Sequence, residues 1–173
     1  MKIDTPHQSR ILRRSALGAG AAALTLILGA ANPAQAASPC RELRGSYTEH
    51  AVSADCQSPV ALCIAGNYTG QIEGAFFGQA TSITTTADTP TTGVAMFTSD
   101  STIIATIGRR HGTLIIKNAG AFAAGNGGPI VDLQTIVAGT DQLAGATGAL
   151  RASGIFSPTA GGQSRYEGIL CLR

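Results

Sequence analysis

The sequence predicts an all-β protein: an antiparallel closed β-barrel of about eight strands in meander order. From Val60 onward, Val, Ile, Thr and Phe are frequent and Gly recurs at short intervals. No stretch shows a sustained period of 3.6 residues, so helices should be few. Short turn-like segments separate the extended runs, and a meander with one apolar face closes most simply into a barrel because closure removes exposed edges.

Seven extended runs are predicted as strands. They cover residues 60–77, 79–88, 93–107, 112–122, 129–138, 146–157 and 164–172. The segments between them carry the Gly, Pro, Asn and Asp residues that tight turns require. Residues 37–59 are polar and irregular, so we expect an N-terminal arm there, tethered by a disulfide, with the barrel domain spanning 60–173.

The first 36 residues are typical of an export signal. Four basic residues lead into an apolar run, which Asn32-Pro33 ends before the small-x-small triplet Ala34-Gln35-Ala36. The run is about 17 residues long, and a membrane span needs about 20, so cleavage after Ala36 is favoured over a retained anchor. The pair Arg13-Arg14 resembles the twin-arginine export motif, and ordinary secretion fits the same segment.

We expect the mature chain to be periplasmic or extracellular. Its charge and composition limit the kinds of partner that it is expected to bind. From Ala37 onward it has 137 residues, the size of one domain, with eight basic and nine acidic residues. The densest basic cluster, Arg109-Arg110-His111, is short and turn-like, so nucleic-acid binding is disfavoured. We expect no membrane association after signal cleavage, while a homo-oligomer remains open.

The four cysteines all lie in the mature part, and an even number in an exported chain indicates disulfides. Cys63 and Cys171 share the polar face of the first and last predicted strands, which are neighbours if the barrel closes. We therefore predict a Cys63–Cys171 disulfide across the closure and a Cys40–Cys56 disulfide holding the arm. A short Cys56–Cys63 loop is the open alternative. No spacing matches a metal site, and the sequence indicates no cofactor.

Alternation along the strands assigns side chains to the two faces of the barrel. In the first predicted strand, Tyr68 lies on the apolar, inward face, whereas Glu73 shares a face with polar residues and is predicted to lie outside. Asp132 and Gln134 alternate with Val and Leu, so they too are predicted to lie outside. His111 is interpreted as an exposed turn residue.

Polar-tipped residues on the inward face are the candidate ligand-binding residues. They are Tyr68, Asn118 and Tyr166. A buried Tyr or Asn needs a hydrogen-bond partner, so these three either bond one another and the backbone or line a ligand pocket. No catalytic residue can be assigned from the sequence, because no nucleophile motif and no pair of catalytic carboxylates appears.

The C-terminal half carries a motif with a family resemblance. Residues 139–148 read Gly-Thr-Asp-Gln-Leu-Ala-Gly-Ala-Thr-Gly, directly after the run 129–138 and overlapping the start of the run 146–157. This resembles the G-T-G-x-[LF]-x-G-A-x-G hairpin of the bacterial allene oxide cyclase barrel-like group, which is related in fold to plant allene oxide cyclases and dirigent proteins. Asp141 replaces the second glycine, which a turn with positive φ tolerates. The resemblance covers roughly residues 60–172 and is strongest over 112–168.

The resemblance implies fold more than function. Relatives either cyclise or steer a reactive small molecule inside an apolar barrel, and plant allene oxide cyclases use a pocket glutamate. No segment here matches those pocket residues, so no role is carried over. We expect an exported barrel that binds a small apolar ligand or a protein partner. A cyclase or isomerase that shapes a reactive molecule inside the barrel is the alternative.

Overall fold

The computed structural model describes residues 40–86, 93–123 and 127–172. They form a closed antiparallel barrel in which each strand pairs with the next along the chain and the last pairs with the first. The strands are β1 Cys40–Val52, β2 Cys63–Gly70, β3 Gly74–Thr86, β4 Val94–Ile107, β5 Arg110–Ala123, β6 Gly128–Gly139, β7 Thr147–Ser157 and β8 Gly161–Cys171. The predicted all-β fold class, with eight antiparallel strands in meander order, is confirmed. No helix in these ranges is long and apolar enough to cross a membrane.

The predicted N-terminal arm is wrong over most of its length. Residues Cys40–Val52 form β1, which pairs with β2 on one side and closes the barrel against β8 on the other. Leu43 and Tyr47 are buried, whereas the residues that directly follow them, Arg44 and Thr48, are exposed. That period of two is the pattern of a strand with one buried face. The outward-facing residues of β1 are polar, which is why the segment was predicted to be irregular.

The first predicted strand, 60–77, is two strands. A turn between Gly70 and Gly74 separates β2 from β3, and both glycines have positive φ, 106° and 146°. Residues with a side chain rarely adopt such φ values, so glycine is needed at both ends of this turn. The 79–88 run is the continuation of β3 up to Thr86, and residues 87–88 lie outside the described ranges.

Both disulfides are present, but the predicted pairs are wrong. Cys40 is bonded to Cys171 and Cys56 to Cys63. A disulfide does bridge the closure, since Cys40 and Cys171 are register partners on β1 and β8. Cys63 is not its partner because β1 lies between β2 and β8. The open alternative, a short Cys56–Cys63 loop, is the one that forms, and two disulfides are typical of an oxidising compartment.

The hairpin motif at 139–148 joins β6 to β7. A single 3-10 turn, Asp141–Leu143, lies between the strands, and Asp141 has φ of 51°. This confirms that the aspartate occupies a position with positive φ, where glycine stands in the related motif. Leu143 is fully buried and joins the core at this end of the barrel.

The interior differs between the two ends of the barrel. The lower end, defined by the turns at 70–74, 108–109 and 140–146, is filled by fully buried aliphatic side chains. They include Leu43, Ile72, Ile103, Ile107, Leu114, Leu143, Leu150 and Leu170. The upper end, where β1 finishes and β2 begins, has a smaller apolar cluster of Ala95, Phe122, Ile130 and Phe156. Polar side chains lie between these two clusters.

We expect loss of the Cys40–Cys171 disulfide to destabilise the barrel more than loss of the Cys56–Cys63 disulfide. The bridges join residues 131 and 7 positions apart, and a cross-link removes more entropy from the unfolded chain when it encloses a longer loop. The loop-entropy model gives about 5 kcal/mol for the first and about 2 kcal/mol for the second. Urea unfolding of the C40A/C171A and C56A/C63A variants measures how much each disulfide adds to the free energy of unfolding. A larger loss of that free energy in C56A/C63A would contradict the expectation.

Candidate ligand cavity

A small cavity lies in the upper half of the barrel, between the polar side chains and the upper apolar cluster. Strands β1 to β7 all contribute to its lining. Its volume is about 40 Å³, enough for one to a few water molecules, since a single water needs about 10–15 Å³ measured in this way. Pockets that enclose drug-sized ligands measure about 300–1,000 Å³. The interior can therefore take a head group, but not a whole ligand of that size. We call this space the upper cavity.

Two carboxyl groups line the upper cavity, and the sequence predicted neither of them inside. Glu49 is 5% exposed and Asp132 is 7% exposed. Asp132 and Gln134 were predicted to lie outside, and that prediction is wrong. Between Ile130 and Ile136, which are buried, the apolar residues of β6 face outward, with Val131 and Leu133 about half exposed. In this segment the parity is thus the reverse of the hydrophobic rule.

Burial controls the protonation of the two carboxyl groups. Burial, together with the smaller effect of the neighbouring Asp132 carboxylate, raises the pKa of Glu49 to about 7. Burial raises the pKa of Asp132 to about 6, against the hydrogen bond from Gln134, which lowers it. Both groups therefore titrate close to neutral pH, although free carboxyl groups titrate near 4.

A chain of hydrogen bonds connects β2 to β6 at the lower edge of the cavity. The Tyr68 hydroxyl donates to Gln134 Oε1 at 3.0 Å, and Gln134 Nε2 donates to Asp132 Oδ2 at 3.0 Å. The Tyr47 ring stacks on the Tyr68 ring with 4.9 Å between centroids. Burial raises the pKa of both tyrosines far above the ordinary value, so both stay neutral.

Asn118, on β5, lines the same cavity. Its Nδ2 donates to Ser99 Oγ at 2.9 Å and to Ser101 Oγ at 2.7 Å, both on β4. Among the described residues that line the cavity, three have a buried acceptor oxygen without a hydrogen-bond partner: Glu49 Oε1, Asp132 Oδ1 and Asn118 Oδ1. The cavity thus has unused acceptors, whereas its amide donors are already engaged.

The sequence-predicted ligand residues divide into two groups. Tyr68 and Asn118 line the upper cavity together. Tyr166 is buried but does not line it, because its hydroxyl accepts the Ile72 N–H at 2.8 Å and lies 3.3 Å from the Thr69 carbonyl oxygen. Tyr166 therefore holds the β2–β3 turn, as in the backbone-bonding alternative stated above.

Tyr47, Glu49 and the aromatic residues at the top of the cavity were not predicted as site residues from the sequence. Tyr47 and Glu49 lie in the segment predicted as an arm, where alternation with Ser46, Thr48 and His50 was the available signal. The rings of Phe97, Phe122 and Phe156 bound the cavity on its upper side, and the Phe122 and Phe156 centroids are 5.4 Å apart.

Glu73 and His111 are both exposed, as predicted. His111 lies at the start of β5, where its Nδ1 is 3.0 Å from the Thr106 hydroxyl. Among the described residues, no group of three or more His, Cys, Asp or Glu side chains could hold a metal ion.

The fold and the site define a closed eight-stranded antiparallel barrel with an acidic cavity enclosed by aromatic rings. No family model, curated protein or solved structure matches this chain.

The two carboxyl groups should make the protein less stable as the pH rises. Their folded-state pKa values exceed those of unfolded carboxyl groups, so the folded protein keeps protons that the unfolded chain has lost. Their contribution to the free energy of unfolding is fully present below about pH 4 and is lost as the pH rises to about 7. We expect Glu49→Gln and Asp132→Asn each to flatten this fall, because an amide stays neutral.

Urea unfolding at several pH values between about 4 and 8 measures the effect. Glu73→Gln is the matched control, because Glu73 is exposed and should leave the profile of the native protein unchanged. A fall with pH that is as steep in Glu49→Gln and Asp132→Asn as in the native protein would contradict the expectation.

Proposed function

We propose that this chain binds a small ligand whose polar head group occupies the upper cavity while its apolar part contacts the aromatic rings above. The burial of Glu49 and Asp132 with unpartnered oxygens carries the proposal. Burying a carboxyl group without full hydrogen bonding destabilises a fold. A barrel that served only as a scaffold would gain by filling this space with aliphatic side chains, as its lower end does.

The dimensions support a head group rather than a wholly enclosed molecule. A volume of about 40 Å³ suits a group of a few heavy atoms. Phe97, Phe122 and Phe156 offer apolar surface next to it, and binding sites commonly combine an apolar wall with a few placed polar groups. The resemblance to the allene oxide cyclase barrel-like group supports the same region, since the plant allene oxide cyclases related to that group in fold use a pocket inside the barrel.

We propose that binding takes place in the periplasm or outside the cell, after a signal peptide is removed at Ala36. The support is the basic, apolar and small-residue order of residues 1–36 together with two disulfides in the barrel. We expect the intact mass of the protein recovered from the periplasm of a bacterial host to correspond to a chain beginning at Ala37. A mass that includes residues 1–36 would contradict this.

Acid–base catalysis is the second candidate function, as in a cyclase or isomerase. The observation that favours it is the pKa of Glu49, raised by burial to about 7. A carboxyl group of that pKa can both give and take a proton near neutral pH. If a cavity ligand leaves the protein chemically changed, and Glu49→Gln stops the change but retains binding, catalysis is the function.

A fragment screen followed by amide chemical shifts tests ligand binding. We expect fragments to shift the amide signals of Ser99, Asn118 and Asp132. The Ser99→Leu variant should abolish binding because Ser99 is 4% exposed, lines the cavity and would fill it with the added carbons.

The matched control is Thr102→Leu, which adds the same group to the exposed face of the same strand and should leave binding intact. Failure of every fragment to shift these signals, or equal loss of binding in both variants, would rule out the upper cavity as the site.

A further inference from the structure

We propose that the upper cavity is selective for a protonated primary amine, whose ammonium group sits between Glu49 and Asp132. This inference rests on the proposed binding function and names the chemical class of its ligand. The ligand would be a small alkylammonium or arylalkylammonium ion, with its carbon chain directed toward the rings of Phe97, Phe122 and Phe156.

The charges around the cavity are all of one sign. Glu49 on β1 and Asp132 on β6 are its ionisable carboxyl groups, and among the described residues the other titratable lining groups are the neutral tyrosines Tyr47 and Tyr68. The lining residues from β3, β4, β5 and β7 are apolar or uncharged, and no described Lys, Arg or His lines the cavity. An anionic ligand would therefore meet two carboxylates with no cation to offset them.

The hydrogen-bonding capacity of the cavity points to a donor. Glu49 Oε1, Asp132 Oδ1 and Asn118 Oδ1 are buried acceptors without partners in the described part of the chain. Two donors beside the carboxyl groups are engaged, because the Tyr68 hydroxyl bonds Gln134 and the Gln134 amide bonds Asp132. A primary ammonium group carries three N–H donors and no acceptor. Its three N–H donors match in number the three acceptor oxygens that have no partner.

Aromatic rings favour the same charge. The Tyr47 and Tyr68 rings stack at 4.9 Å, and Phe76 meets Tyr68 edge to face at 5.3 Å, so the cavity has ring surface on its lower side as well. A ring face attracts a cation through its quadrupole, and the attraction is stronger where water is excluded. The small volume selects an –NH₃⁺ group over a trimethylammonium group, which is larger and has no N–H donors.

The ligand should compete with protons. Below about pH 5 both carboxyl groups hold protons, and an alkylammonium ion is charged throughout this range, so binding must release those protons. Affinity for the amine should therefore rise with pH until both groups are ionised. A neutral alcohol of the same length should bind with little pH dependence.

Isothermal titration calorimetry with four probes of one chain length tests the proposal: hexylammonium, 1-hexanol, hexanoate and hexyltrimethylammonium. At about pH 8 we expect hexylammonium to bind at least about tenfold more tightly than each of the other three, since a buried charge pair is worth a factor of this size or more. Between about pH 5 and pH 8 its affinity should rise by about tenfold or more.

Two variants test whether the buried carboxyl group of Glu49 binds the ammonium ion. Glu49→Gln should weaken hexylammonium binding by at least about tenfold and should affect 1-hexanol binding much less, because the alcohol carries no charge. Glu73→Gln, which alters an exposed carboxylate on the outer face, should change neither. The pH dependence of the native protein tests the proposal without any variant, which matters if Glu49→Gln does not fold.

Several results would overturn the proposal: 1-hexanol or hexanoate binding as tightly as hexylammonium, a flat pH profile, or an equal effect of Glu49→Gln and Glu73→Gln. If uncharged fragments occupy the cavity and hexylammonium does not, the amine assignment fails and the binding function stands. If no fragment and no probe binds, both fail together.

Discussion

Closure of the sheet through β1 and β8 is the constraint on which the rest of the structure depends. Once the eight strands close, every second residue of each strand points into one shared interior. An eight-stranded barrel is only wide enough for side chains to fill that space. Aliphatic residues fill it at the lower end, so the polar residues of β1, β2, β4, β5 and β6 are brought together in the upper half.

The eight-stranded architecture could be predicted from the sequence because it follows from local signals. Turn residues mark the ends of β4 to β8, and alternation in β8 assigned Tyr166 correctly to the interior. The β2–β3 turn was missed because the two glycines at its ends stand within a run of otherwise strand-like residues. Strand β1 was missed because its outward residues are polar and its inward set includes Gly45 and Glu49.

The candidate site was the least predictable part of the molecule. Hydrophobic alternation assigns apolar residues to the core, and β6 breaks that rule between Ile130 and Ile136, which are buried on either side of Asp132 and Gln134. Val131 and Leu133 dominated the hydrophobic pattern, which therefore assigned Asp132 and Gln134 to the outer face. Places where local rules fail in this manner tend to be functional or strained. The reversed parity of β6 is thus itself an indication of where the site lies.

The Cys40–Cys171 disulfide turns the eight strands into a covalent ring. The path runs through every strand from Cys40 to Cys171 and returns across the bridge between register partners. A single peptide-bond cut in an exposed turn, such as the one at Gly108 and Arg109, would leave the two pieces joined by this bond and by the ladders on either side of the cut. Wherever the protein meets proteases, such a ring keeps a nicked barrel in one piece.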